Sequence, residues 1–144
     1  MRTKHFLSRL DHDRIVQAIA TAEAKTSGQI RIYIQRGTVG DAIAAAQKQF
    51  HKLGMTNTRE RNSVLIFVAP RAQKFAVIGD RGVHEKCGDV FWQKLINSMR
   101  SQFKNESFGD ALVEAITEAG NLLAQHFPKK PSDRNELSDQ VVED

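Results

Sequence analysis

The run Val64-Leu65-Ile66-Phe67-Val68-Ala69 carries no charged or polar side chain, and it limits this chain more than any other stretch. Short runs rich in β-branched and aromatic residues read as strands. With no polar position to turn toward water, this one is expected to be covered on both faces and central in a sheet. Pro70-Arg71-Ala72-Gln73 interrupts the apolar pattern, and Phe75 to Ile78 resumes it before Gly79-Asp80-Arg81-Gly82 leads the chain away. Two such runs across a Pro-led turn predict a β-hairpin. In an antiparallel pair folded at Pro70–Gln73, Val64 should stand opposite Asp80.

The flanking segments predict helices around this hairpin. Ile15, Ala18, Ile19 and Ala22 recur at helical spacing, so a helix is expected from an Asp11 N-cap to about Lys25, closed by a left-handed Gly28. Ile30, Ile32 and Ile34 alternate with Arg31, Tyr33 and Gln35, which predicts a strand over 29–36 with one buried face and one partly wet. Asp41 should cap a second helix with Ile43, Ala46, Phe50 and Leu53 inward and Gly54 at its end. Strand, helix and strand make a βαβ unit, so 29–36 should run parallel to 64–69. A third helix is expected from about His84 to Lys104, burying Trp92, Leu95, Ile96, Met99 and Phe103. A fourth should run from a Ser107 cap to about His126, with Leu112, Ala115, Ile116, Ala119, Leu122 and Leu123 inward, and stop before Pro128. The whole is an α/β chain with four helices flanking a small mixed sheet.

A chain of 144 residues is one domain by size. A basic lead-in occupies 1–9, the α/β domain 10–128, and an acidic tail 129–144, which is expected to be mobile. Residues 132–144 hold Asp133, Glu136, Asp139, Glu143 and Asp144 against Arg134, a net of −4, which leaves +8 on the rest of a chain whose total is +4. The basic residues are scattered, without a stripe or interleaved aromatics, so no specific nucleic acid is expected as a partner. No apolar run approaches the ~20 residues of a membrane span, and Met1 to Leu7 lacks the apolar segment of a secretory signal. The single cysteine, Cys87, excludes an internal disulfide and a cysteine-cluster metal site. These features favour a cytoplasmic protein, monomeric or weakly dimeric.

The pieces Thr26-Ser27-Gly28-Gln29-Ile30-Arg31, Leu53-Gly54-Met55-Thr56, Arg61 through Pro70, Ile78-Gly79-Asp80-Arg81-Gly82 with His84-Glu85, and Ser107-Phe108 resemble the TPM domain family. The family is named after thylakoid-lumen phosphatase-like proteins and includes bacterial relatives. The resemblance runs from about Leu10 to Phe127 and is most specific over the hairpin. It implies a Rossmann-like, three-layer α/β/α sandwich. It also implies calcium binding, as in some members, and acid phosphatase activity, which is credited to others. Many members carry a signal sequence, a trailing membrane span and an acidic pair ahead of the first helix. This chain resembles a small, cytoplasmic, bacterial-type member.

Hairpin pairing brings Arg59 to Ser63 and Gly79 to Gly82 to one edge of the sheet, with His84 and Glu85 beside them. Parallel pairing points Ser27 and Gly28 to the same edge. Asp80, Glu60, Glu85 and Asn62 offer hard oxygens of the kind that Ca2+ or Mg2+ takes, and are the candidate metal ligands. The alternative is that Glu60 and Asp80 pair with Arg61 and Arg81, while Asp80 caps the next helix. His84 is a candidate general acid or base. Cys87 is either a thiol of lowered pKa or a packing residue. At the opposite edge Arg36, Thr38, Asp41 and Arg71 suit a small anion only if Asp41 turns aside from its helix start.

No nucleotide-binding loop and no Ser-His-Asp spacing occurs, so no nucleotide cofactor is expected and no catalytic residue is assigned. Two functions fit. One is a non-enzymatic interaction module, binding an unidentified protein partner and holding a divalent cation at the hairpin edge. The alternative is a divalent-cation-assisted acid phosphatase-like hydrolase, in which Asp80 and its neighbours hold the cation and Arg61 or Arg81 adds charge. The module is preferred, because no committed nucleophile is evident and a fold does not supply one.

Overall fold

Alternating and helical apolar patterns resolve into helices and strands close to where they are expected. The structure is a computed structural model and describes residues 9–70, 72–104, 108–129 and 141–143. In chain order its elements are α1 (Arg9–Glu23), β1 (Gln29–Ile34), α2 (Ala42–Lys52), β2 (Ser63–Ala69), β3 (Lys74–Gly79), α3 (Arg81–Lys104), α4 (Phe108–His126) and β4 (Val141–Glu143). The strands form one mixed sheet in the order β3-β2-β1-β4. β1 and β2 run parallel, with α2 between them in sequence, and β2 and β3 form the antiparallel hairpin.

Period-two alternation divides each strand between two apolar clusters. Ile30, Ile32, Ile34, Val64, Ile66 and Val68 pack with residues of α1, α3 and α4, among them Ile19, Leu95 and Ile116. Tyr33, Leu65, Phe67, Ala69 and Ala76 pack with Ala46 and Phe50 of α2. Every residue of β2 is buried, as its unbroken apolar character demands. β1 is also buried throughout, which corrects the expectation of a partly wet face. The physical reason is α2: it covers that side, and Tyr33 stacks on Phe67 with ring centroids 5.7 Å apart.

Element ends depart further from expectation. α1 starts at Arg9 and ends at Glu23, so Asp11 lies in its first turn instead of at the N-cap. Gly28 is not a left-handed terminator. It lies so close to the rest of the chain that an added Cβ would come within 3.1 Å of both the Asn62 carbonyl and the Leu123 side chain. Asp41 does cap α2, accepting from the Ile43 and Ala44 amides, yet Ile43 itself is 59% exposed and not inward. The stripe of that helix runs through Ala46 and Phe50 instead.

α3 begins at Arg81, ahead of the expected His84, and breaks at Gly88, which has φ 70° and ψ −171°. Glycine adopts that conformation without a Cβ penalty. Leu95 and Met99 are buried as expected, and so are Leu112, Ala115, Ile116, Ala119 and Leu123 of α4. Ile96, Leu122 and Trp92 are only half-buried. The Trp92 ring lies over Gly79, where a Cβ would sit 2.1 Å from it, and so covers the sheet's end rather than its centre. The Ser107 cap and the Phe103 side chain lie outside the described residues.

The acidic tail adds an element. Residues 130–140 and 144 lie outside the described residues, but 141–143 form β4, parallel to β1, with Ile32 opposite Val141 and Ile34 opposite Glu143. A three-residue strand is too short for alternation to reveal it. Deleting residues 131–144 is therefore expected to lower the unfolding free energy by ~1–3 kcal/mol, the worth of two or three hydrogen bonds. Urea denaturation measures this, and an unchanged midpoint would show that β1 gains nothing from β4.

Candidate functional site

Ala69 pairs with Lys74 across the turn, so Val64 meets Gly79 and not the Asp80 expected there. Asp80 follows directly and donates its amide to the Ser63 carbonyl at 2.9 Å. Its carboxylate is only 5% exposed. Oδ2 accepts from Arg61 Nε at 2.6 Å and Oδ1 from Arg61 Nη2 at 2.8 Å, a two-pronged pair. Oδ1 also accepts from the Arg81 amide at 2.8 Å, and the Asp80 carbonyl accepts from the Val83 and His84 amides. Asp80 is thus both the partner of Arg61 and the N-cap of α3. The hydrogen bond to Asp80, with the attraction between their charges, holds the Arg61 guanidinium above its ordinary pKa against a smaller desolvation effect.

Arg61 reaches Asp80 from a left-handed backbone, φ 52°. Its carbonyl accepts from the Gly82 amide at 2.8 Å, which docks the loop on the first turn of α3. Glu60 makes a separate set of contacts. Its Oε2 accepts from the Ser27 hydroxyl at 2.5 Å and from Asn62 Nδ2 at 3.4 Å. The same amide donates to Ser27 Oγ at 3.1 Å. Asn62 is 1% exposed and Ser27 6%, whereas Glu60 is exposed. Asn62 Oδ1 is buried and has no hydrogen-bond partner among the described residues.

Of the four candidate ligands, the fold therefore joins Glu60 and Asn62 and commits Asp80 to Arg61. Glu85 is an exposed residue of α3 and takes no part in these bonds. Among the described residues, no three His, Cys, Asp or Glu side chains gather into a metal-binding group. Ser27 is the residue that sequence did not single out as a bonding partner. Parallel pairing places it at this edge, but its hydroxyl carries no sequence signal of its own.

His84 Nδ1 accepts from Trp92 Nε1 at 3.0 Å. That bond clasps the two halves of α3 across the Gly88 break. Cys87 packs against the larger apolar cluster, and burial there pushes its thiol up against a smaller downward pull from Lys86, the opposite of the shift that activates a thiol. At the opposite edge of the sheet Asp41 does not turn aside, since Oδ1 accepts from the Ile43 and Ala44 amides. Its carboxylate occupies the helix start that an anion would need. Arg71 lies outside the described residues. Among the described residues no helix is long and apolar enough to cross a membrane.

A family model of the TPM domain matches residues 1–122. No protein with a curated description matches the chain. Among solved structures, the NMR structure of the BA42 protein from the psychrophilic bacterium Bizionia argentinensis is 37% identical, with a TM-score of 0.91 and 96% of each chain covered. The N-terminal domain of the cg2496 protein from Corynebacterium glutamicum is 15% identical, with a TM-score of 0.65 over 96% of this chain and 81% of that one. The N-terminal domain of a protein from P. gingivalis is also 15% identical, with a TM-score of 0.65 over 87% of this chain and 83% of its own. At that identity the last two show the fold alone.

Proposed function

The chain belongs to the TPM domain family, and from that premise we propose that it is a non-enzymatic module for a protein partner, with a divalent cation held at the hairpin edge by Glu60 and Asn62. The observation that carries this is Asn62 Oδ1, a buried acceptor without a partner among the described residues. An unmatched buried acceptor costs about 1–3 kcal/mol. A cation beside it and the Glu60 carboxylate relieves that cost, and hard oxygen donors suit Ca2+ or Mg2+. Asp80 fits the role poorly while Arg61 and the Arg81 amide fill its oxygens. Glu85 is exposed on α3 and is left out of the proposed ligand set.

The helices on both faces of the sheet support a three-layer, Rossmann-like α/β/α arrangement as part of the same proposal. A cytoplasmic setting belongs to it too, in keeping with the free thiol of Cys87. The non-enzymatic half is supported by how the polar groups are spent. Asp80 is bound by Arg61, and the Ser27 hydroxyl donates to the Glu60 carboxylate, with no imidazole bonded to it among the described residues.

Thermal melts in chelator and in millimolar Ca2+ or Mg2+ test the cation. The midpoint is expected to rise with the cation, by the equivalent of about 2.7 kcal/mol at a hundredfold excess over Kd. Glu60→Gln should abolish the rise and Glu85→Gln should leave it. A midpoint indifferent to both cations removes the cation from the proposal. Turnover of a generic phosphomonoester by purified protein, lost in Glu60→Gln, would establish the phosphatase-like hydrolase instead.

A further inference from the structure

β3 ends the sheet, and no strand among the described residues lies beyond it. It pairs with β2 without interruption from Lys74 opposite Ala69 to Gly79 opposite Val64. It therefore has neither the bulge nor the proline with which proteins blunt an exposed edge. Because the Asp80 amide donates to the Ser63 carbonyl, even-numbered residues of β3 turn their backbone groups toward β2 and odd-numbered ones turn them outward. Val77, near the middle of the strand, is one of the outward set. Half-buried Phe75 and Val77 lie on the α3 side with Trp92, and Ala76 and Ile78 lie on the α2 side. The edge is apolar on both faces, and its one charged residue is Lys74 at the start.

We infer that β3 is a self-association edge, where two copies of this chain pair antiparallel about a two-fold axis through Val77 and form one continuous sheet. The strand is self-complementary in that register. The backbone groups of Val77 meet those of the second copy's Val77, as an isologous contact requires. Phe75 stands opposite Gly79, the bare position under the Trp92 ring, so that aromatic surface is extended from one copy to the other. Ala76 stands opposite Ile78, small against large. Lys74 stands opposite Asp80, whose buried carboxylate is held by Arg61 within its own copy, so no like charges oppose the pairing at its ends. The Lys74 ammonium is held on the Val39 and Gly40 carbonyls of its own copy. A slip of two residues sets Phe75 against Val77 and Ala76 against Ala76, and forfeits the match. A foreign strand has no such match built in, which favours a second copy as the occupant. The pairing requires neither the cation nor the partner proposed above.

Sedimentation velocity on the full chain, from micromolar to millimolar concentration, is expected to show a concentration-dependent rise from monomer to dimer. Val77→Pro removes an amide that β2 does not use and should hold the protein monomeric throughout, with its circular dichroism unchanged. Val77→Lys sets like charges on the two-fold axis and should do the same, which keeps the test decisive should proline unfold the strand. A natural protein that stays monomeric overturns the inference, and so does a dimer that survives both substitutions. A dimer lost only on deleting residues 131–144 assigns the contact to the β4 edge and overturns it as well.

Discussion

Phe67→Ala is expected to cost about 3–5 kcal/mol of stability, the range for emptying an aromatic site in a core. Phe67 is fully buried in the middle of β2. Its ring stacks on Tyr33 at an interplanar angle of 4°. β1 and β3 hold it from both sides, with Tyr33 and Ala76 as its register partners. A cavity there cannot collapse unless the sheet itself deforms, so the upper half of the range is expected. Such a loss takes about a third or more of the ~5–15 kcal/mol that holds an ordinary domain folded. Chemical denaturation at neutral pH gives the number directly. A loss below about 1 kcal/mol would show that α2 does not seal that face.

Gly82→Ala should be nearly as damaging for a different reason. A Cβ at this position would lie 2.2 Å from the Glu60 carbonyl and 2.6 Å from the Arg61 carbonyl. Both obstacles are backbone, so no rotamer change relieves them and the loop must lift off α3. Overpacking of this kind costs about 3 kcal/mol. Lifting the loop also draws Glu60 from Ser27 and Arg61 from Asp80, which leaves a buried carboxylate short of its partner. The variant should therefore lose stability and its response to Ca2+ or Mg2+ together. Gly40→Ala is the control, because an added Cβ there meets nothing within 4 Å. Equal midpoints for the two variants in a thermal melt would show that the loop is not docked on Gly82.

The hairpin and the βαβ unit are legible in the sequence because their signals are local. An unbroken apolar run, a Pro-led turn and an Asp before a helical stripe each act within a few residues. The register misses by one because turn composition does not say which residues close the loop, and Ala69 opposite Lys74 does. The site is legible as an edge but not as a set of bonds. Ser27 meets Glu60 only because β1 and β2 are parallel with Gln29 opposite Ser63. Asp80 has two chemically sound roles in sequence. What decides between them is the two-pronged bond from Arg61, made from a backbone of positive φ that composition does not announce. The break in α3 and the strand β4 are the other omissions: one is a single glycine within a helical pattern, the other too short to have a period.

The order of the strands also bears on how the chain is made. β1 can pair with β2 once Ala69 has been added, but its other edge waits for Val141, 107 positions after Ile34 (141 less 34). At roughly 5–20 residues per second, that gap lasts about 5–20 s on the ribosome. Through that interval Ile32 and Ile34 present an open ladder to any nascent neighbour. Ile30 does not, because its amide is taken at 2.7 Å by the carboxylate of Glu23. Glu23 belongs to α1 and is translated before β1. The chain thus supplies its own early stopper for one of the three outward positions, and the stretch from Ile32 to Ile34 is where a polysome would misassemble first.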